Sequence, residues 1–369
     1  MFDFSKGQTF AEEESANLFQ QFFLAFLQAQ KNISEAVEVY IRVAKTDVCL
    51  RFAGKNLARQ YARALRHIQT DIISNPDFTI CVWDSETSGQ SLPPFLDQFN
   101  QFINSHPNAG LRAIRGDVPL LTNNIIRTAL VNETALTIAN PGKKLCVHWV
   151  QDAREIPYHE AGAPLRVPFN FMFGNVSRQL LHGGAVGTGS GGVFLGGIGG
   201  SGKSTTALNC ISSSLYYASD DYVVVDVENQ LTAYSLYSTA KVKTMKDLER
   251  FPEFSSWVAN EEGVKFNEEK PLMFLNEHVP QKLIFEIPLK AIVFPRFVAG
   301  EEIRYQPMSQ QRVFREIVTS TVRQTPNDDQ TAISMIGRFI KELPCYELIF
   351  GEAQQNLPDY ITEIITLNS

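Results

Sequence analysis

The stretch Gly192-Val193-Phe194-Leu195-Gly196-Gly197-Ile198-Gly199-Gly200-Ser201-Gly202-Lys203-Ser204-Thr205-Thr206-Ala207-Leu208 decides how this chain is read. Gly192 to Gly196 is a short apolar run bounded by glycines, as a buried strand would be. Beyond the serine, Ala207, Leu208 and Ile211 recur at helical spacing. Between them, Gly197 to Ser204 spells G-x-x-x-x-G-K-S, a phosphate loop in the setting it needs, with a strand before it and a helix after it.

Chemistry explains the composition of that loop. Glycine at Gly197, Gly199, Gly200 and Gly202 lets the backbone turn tightly with its N–H groups facing inward, a nest for phosphate oxygens. Ser201 completes the nest, and Thr205 follows it at the start of the helix. Lys203 is expected to reach the β and γ phosphates, and the Ser204 hydroxyl to ligate Mg²⁺. The positive end of the helix acts on the same anion.

Downstream, Tyr216 to Val225 is an apolar segment interrupted by the adjacent carboxylates Asp220 and Asp221. Phosphoryl transfer needs an acidic group near the metal. Neighbouring side chains in extended backbone diverge, so one Asp can face the metal while the other faces an acceptor hydroxyl.

The order of Leu181-His182-Gly183-Gly184-Ala185-Val186, the phosphate loop and Ser219-Asp220-Asp221-Tyr222 resembles the catalytic core of HPr kinase/phosphorylase-related proteins. That core is in turn similar to phosphoenolpyruvate carboxykinase. Tyr234 to Lys241, Ala291 to Arg296 and Leu343 to Leu348 with Gly351 extend the resemblance loosely, over about residues 165 to 369. Two departures weigh against HPr itself as the acceptor and against the reverse phosphorolysis. Thr205 stands where such kinases usually have Glu, and Tyr234 to Lys241 stands where they carry an Arg-Gly-rich signature.

The resemblance implies an ATP- and Mg²⁺-dependent kinase acting on a hydroxyl of a small molecule, peptide or protein. Lys203 and Ser204 would then bind phosphate and metal, and Asp220 would be the base. Asp221 would serve the metal or orient the base. His182 is either structural or a hydrogen-bond donor to the γ-phosphate. Extra positive charge at the transferred group is expected from Lys241, with Arg296 as a weaker candidate. A different class stays open: a nucleotide-responsive binding module in which nucleotide occupancy changes how the N-terminal half meets a partner.

Composition fits either reading. A chain of 369 residues, 44% hydrophobic, can bury substantial cores and is expected to form two domains, an α+β unit over 1–165 and a phosphate-loop unit over 166–369 with a mixed sheet flanked by helices. The overall class is mixed α/β. Net charge −7, with no basic cluster longer than Lys143-Lys144, argues against nucleic acid as the main partner. Five scattered cysteines without a C-x-x-C pair point to reduced thiols. No long apolar run or basic leader is seen, so the expectation is a cytoplasmic protein with no membrane partner, compatible with a homo-oligomer.

In the N-terminal half, Glu12 to Gln30 reads as a helix with Leu18, Phe22, Phe23, Phe26 and Leu27 on one face, either core or a dimer contact. Strands are expected at Asp47–Phe52 and Phe78–Trp83, with a helix over Leu57–Gln69 between them. A hairpin is expected across Asn140-Pro141-Gly142, and His148 reads as a packed histidine. Loop signals cluster at Ser85–Pro94 and Ser105–Gly110, and Ile156–Pro168 reads as a linker. Further on, a hairpin is expected around Glu228-Asn229-Gln230, and strands at Lys282–Ile287 and Ala291–Phe294. A solvated insertion spans Asn260–Lys270, and helices follow at Gln310–Thr321 and Thr331–Lys341.

Overall fold

Three glutamates, Glu12, Glu13 and Glu14, open helix α1 (Glu12–Asn32), where negative charge suits the positive helix end. Its aromatic stripe turns inward: Leu18, Phe19, Phe22 and Phe26 pack with Trp83, Ile138 and Trp149. The stripe is core. This description comes from a computed structural model covering residues 11–93, 122–131, 134–174, 177–265, 269–326 and 329–369. The loop expected at Ser105–Gly110 lies outside the described residues.

α1 covers a six-stranded sheet built from β1 (Val37–Val43), β2 (Thr46–Phe52), β3 (Phe78–Asp84), β4 (Arg127–Val131), β5 (Ala135–Asn140) and β6 (Leu145–Val150). The order is β1-β2-β3-β6-β5-β4, with β3 parallel to β2 and to β6. The expected hairpin is β5 and β6, antiparallel across Pro141–Lys143. Helix α2 (Lys55–Arg63) links β2 to β3 and is shorter than the expected 57–69. Gln69 and Thr70 bridge onto β1, and that pairing draws the chain out of helix after a 3-10 turn at Arg66–Ile68.

The segment read as a linker is structured. It carries α3 (Tyr158–Gly162) and the start of α4 (Arg166–Phe173), and Ala163 and Leu165 are buried. Proline and glycine mark close packing here rather than exposure: a Cβ on Gly162 would meet Leu272 at 2.9 Å.

A nine-stranded mixed sheet follows. Its main path contains β7 (Arg178–His182), β8 (Gly184–Thr188), β9 (Gly191–Leu195), β10 (Tyr216–Ser219), β11 (Tyr222–Asp226) and β12 (Thr232–Ser235). β13 (Thr239–Lys241) and β14 (Leu272–Phe274) pair separately. β15 (Glu286–Phe297) returns to the large sheet, and β16 (Arg304–Pro307) and β17 (Cys345–Phe350) complete it. β15 runs parallel to β9 and β17 and antiparallel to β12. The two strands expected at 282–294 are therefore one strand, with a register shift between Leu289 and Ala291, and Pro280–Lys282 is a 3-10 turn.

Alternate residues of β9 feed two cores, as the two-residue strand period requires. Phe194 packs with Phe294 under α5 (Gln310–Val322) and α6 (Asp329–Lys341), through Ile317, Ile336 and Phe339. Val193 and Leu195 pack on the opposite face under α7 (Lys203–Ile211) and α8 (Leu357–Leu367), through Ala207, Leu208, Ile361 and Ile364. The molecule is thus mixed α/β, with a mixed sheet flanked by helices. All five cysteines are buried and free. No helix among the described residues is long and apolar enough to cross a membrane.

Candidate active site at the phosphate loop

The loop joins β9 to α7 and holds its shape with glycines at positive φ: Gly197 at 127°, Gly200 at 82° and Gly202 at 112°. A Cβ on Gly202 would come within 2.6 Å of the Phe350 ring, so that position requires glycine both for its dihedral and for its neighbour. The first turn of α7 has neither a side-chain cap nor an acidic residue, which leaves its positive end to an anion. Gly199 and Gly200 are exposed at the tip. Lys203 is buried, and its Nζ donates to the carbonyls of Gly197 at 2.7 Å and Ile198 at 3.2 Å. Burial pulls its ammonium below its ordinary value, against the attraction of Asp221 and Asp220.

The paired carboxylates reach the loop because of a glycine. β7 and β11 pair antiparallel with His182 opposite Tyr222, and the Gly183 N–H donates to the Asp221 carbonyl at 2.9 Å. A Cβ on Gly184 would lie 2.7 Å from the Ser219 carbonyl oxygen and 2.9 Å from the Asp220 Cα. The His-Gly-Gly segment therefore lets the Asp-Asp turn close onto β8.

The two carboxylates differ sharply. Asp221 Oδ2 accepts from Lys241 Nζ at 2.5 Å, and its Oδ1 lies 3.3 Å from His182 Nε2. Burial would push the Asp221 carboxyl up, but Lys241 and His182 outweigh it and hold it well below the usual carboxylate range. Asp220 is 2% exposed, and its Oδ1 has no hydrogen-bond partner among the described residues. Burial and then the Asp221 charge raise its carboxyl to about 6, against the pull of Lys241 and the Ser204 hydroxyl.

His182 is neutral by the same reasoning, since burial lowers it against the help of Asp221. Its Nδ1 lies 3.3 Å from Gln324 Nε2, which fits a proton on Nε2 directed at Asp221. Lys241 is raised: burial opposes its charge, but Asp221 prevails. These residues, with Ser204, Thr205 and the loop tip, border one cleft of about 680 Å³.

Sequence reasoning missed part of the cleft wall. Arg166 Nη1 donates to the Tyr222 hydroxyl at 2.5 Å, and that hydroxyl donates to Gln324. Arg166 falls in the segment read as linker, and no local pattern marks it. Lys270, at the end of the segment read as a solvated insertion, also borders the cleft. That segment is tied down at its base, because the Asn260 amide donates to Glu269 and to the Lys270 carbonyl and accepts from Leu272 N–H. Arg296 stays apart. It is half exposed, 3.5 Å from Glu347, and does not border the cleft.

The donor set suits Mg²⁺. A hard cation takes oxygen ligands and keeps several waters, bound through one or two carboxylates plus phosphate oxygens. The partnerless Asp220 oxygen and the Ser204 hydroxyl beside it are such donors. Among the described residues no group of three or more His, Cys, Asp or Glu side chains could hold a metal by itself.

A β-strand, a glycine-rich phosphate loop and a helix, closed by a carboxylate pair of which Asp220 is buried, define a mixed α/β protein with a candidate phosphate site. No family model and no curated protein matches the chain. Among solved structures it is similar to the HPr(Ser) kinase/phosphatase from Coxiella burnetii, at 12% identity and a TM-score of 0.27, over 50% of this chain and 93% of that one. So low a score leaves the chemistry to be argued from this chain's own residues.

Proposed function

We propose that the protein is a Mg²⁺-dependent kinase that transfers the γ-phosphoryl group of ATP to a hydroxyl of a small molecule, peptide or protein. The observation that carries this reading is Asp220: a buried carboxylate with one partnerless oxygen and a raised pKa, bordering the same cleft as the phosphate loop. In the reaction, the acceptor oxygen bonds to the γ-phosphorus as the bond from that phosphorus to the bridging oxygen breaks. The acceptor proton passes to Asp220, and ADP leaves.

Loop N–H groups and Lys203 hold the phosphates, with Lys203 exchanging its carbonyl partners for phosphate oxygens. The Ser204 hydroxyl would hold Mg²⁺, which when bound neutralises charge on the phosphates, and the partnerless Asp220 oxygen beside it takes the acceptor proton. Asp221 has both oxygens engaged, so its role is to fix Lys241 and His182 and, through its charge, to keep Asp220 basic. Lys241 lies at the cleft wall, where positive charge favours a loose phosphoryl-transfer transition state.

The test is transfer of labelled γ-phosphate from ATP into a cell-extract acceptor, read by mass spectrometry. Asp220→Asn is expected to abolish transfer while nucleotide binding persists. A second reading, a nucleotide-responsive module, draws on the apolar core shared between the two sheets. Nucleotide binding that alters partner affinity or oligomeric state, with no transfer to any acceptor, would favour it.

A further inference from the structure

Beyond the loop, the cleft contains a patch that transfer chemistry leaves unused. β17 ends at Phe350, which lies over Gly202, and the 3-10 turn Gln354–Asn356 then leads into α8 and packs on α7. Gln354 borders the cleft and is only 4% exposed. Neither its amide nitrogen nor its amide oxygen has a hydrogen-bond partner among the described residues. A buried donor or acceptor left unmatched is destabilising, so this amide gains from any ligand offering a donor and an acceptor side by side.

A flat platform borders the same cleft. The Phe297 ring is 37% exposed and meets Phe350 edge-on at 5.9 Å, and the Arg250 guanidinium lies 5.4 Å from the Phe297 centroid. Planar guanidinium and aromatic groups stack on heterocyclic bases. The main chain ties this platform to the loop, since the Phe297 N–H donates to the Ser201 carbonyl at 3.3 Å.

We infer that Gln354 reads the base of the bound nucleotide, that the base is adenine, and that it stacks on the Phe297 and Arg250 pair. The inference rests on the phosphate-loop reading above and adds to it the residues that recognise the base of the donor. An amide pairs with one donor and one acceptor. Adenine presents that combination on both its N6/N7 and N6/N1 edges, whereas guanine presents two acceptors at O6/N7 and offers the combination only at N1/O6 and, beside the ribose, at N2/N3. The broad terminal torsion of a glutamine lets the amide turn to meet the edge.

Calorimetric titration with ATP, GTP and tripolyphosphate, each with Mg²⁺, tests it on the full chain. Wild type is expected to bind ATP about tenfold or more tighter than GTP, the scale of one bidentate base contact. Gln354→Met is expected to lose that preference, bind tripolyphosphate as wild type does, and melt at a higher temperature without ligand because the unmatched amide is gone. Gln354→Glu, which replaces the donor by an acceptor, is expected to lose ATP affinity likewise and serves if the methionine variant fails to fold. Phe297→Ala is expected to weaken ATP and GTP together. Equal ATP and GTP affinity in wild type, or unchanged ATP affinity in the Gln354 variants, with tripolyphosphate still bound, would overturn the base assignment and leave the phosphate-loop reading standing. Failure of nucleotides and tripolyphosphate alike to bind would overturn both.

Discussion

At the scale of single residues, Asp220 and Asp221 show how one sequence dipeptide yields two unlike groups. Asp221 is held charged by Lys241 and His182, and its charge then joins burial in raising Asp220 to about 6. Two measurements follow. The pH dependence of transfer is expected to rise with a midpoint near 6, where Asp220 loses its proton, rather than near the ordinary carboxylate value. For stability the sign is opposite: an acid whose folded pKa is raised contributes fully below its unfolded value of 3.8 and loses that contribution as pH rises through about 6. Asp220→Asn is therefore expected to raise the melting temperature above pH 7, by an amount equivalent to about 2–3 kcal/mol, while transfer is lost. A variant no more stable than wild type at that pH would contradict the strained carboxylate.

Among elements, the strand, loop and helix from Gly191 to Ile211 were legible because the glycines, lysine and apolar spacing all point one way. Gly202→Ala tests that element. With φ at 112° and Phe350 in the way of a Cβ, it is expected to cost about 1–3 kcal/mol and to weaken nucleotide binding at least tenfold in calorimetry. The α5 and α6 helices and the two expected hairpins were legible from periodicity and turn residues. β1 was not, because its turn uses Ala44 and Lys45, both at positive φ without a glycine or asparagine to signal it. The strands expected at Lys282–Ile287 and Ala291–Phe294 merge into β15, because β9, β12 and β17 pair along it and carry it past Pro288 through a bulge. Among site residues, His182, Lys203, Asp220, Asp221 and Lys241 share the cleft, while Arg166 and Gln354 could not be found from local pattern because distant chain brings them there.

Across the whole molecule, the segment taken for a linker is where the two sheets meet. One apolar cluster joins Phe52 and Tyr61 from the first half to Tyr222, Tyr237 and Phe274 from the second through Leu165 and Phe169. Polar contacts cross the same seam, with His67 Nε2 at 2.7 Å from Ser235 Oγ and Arg63 paired to Glu277 at 2.7 Å. We propose that 1–165 and 166–369 are two topological units that fold together. Residues 166–369 alone are expected to expose this cluster and aggregate, and the full chain to unfold in one calorimetric transition; a soluble, nucleotide-binding fragment would contradict this. Acid should also loosen the fold. Burial lowers His67 and His148 to about 3, so both are neutral when folded. The unfolded chain takes up their protons below its ordinary value of 6.5, so stability is lost progressively as pH falls from there toward 3.

The most direct measurement pairs nucleotide affinity with phosphoryl transfer in wild type and Asp220→Asn, using γ-labelled ATP, Mg²⁺ and the extract acceptor. The expected result is labelled acceptor with wild type, and none with the variant, whose ATP affinity stays within a few-fold of wild type. Transfer undiminished in the variant, or binding and transfer lost together, would contradict Asp220 as the base at the phosphate loop.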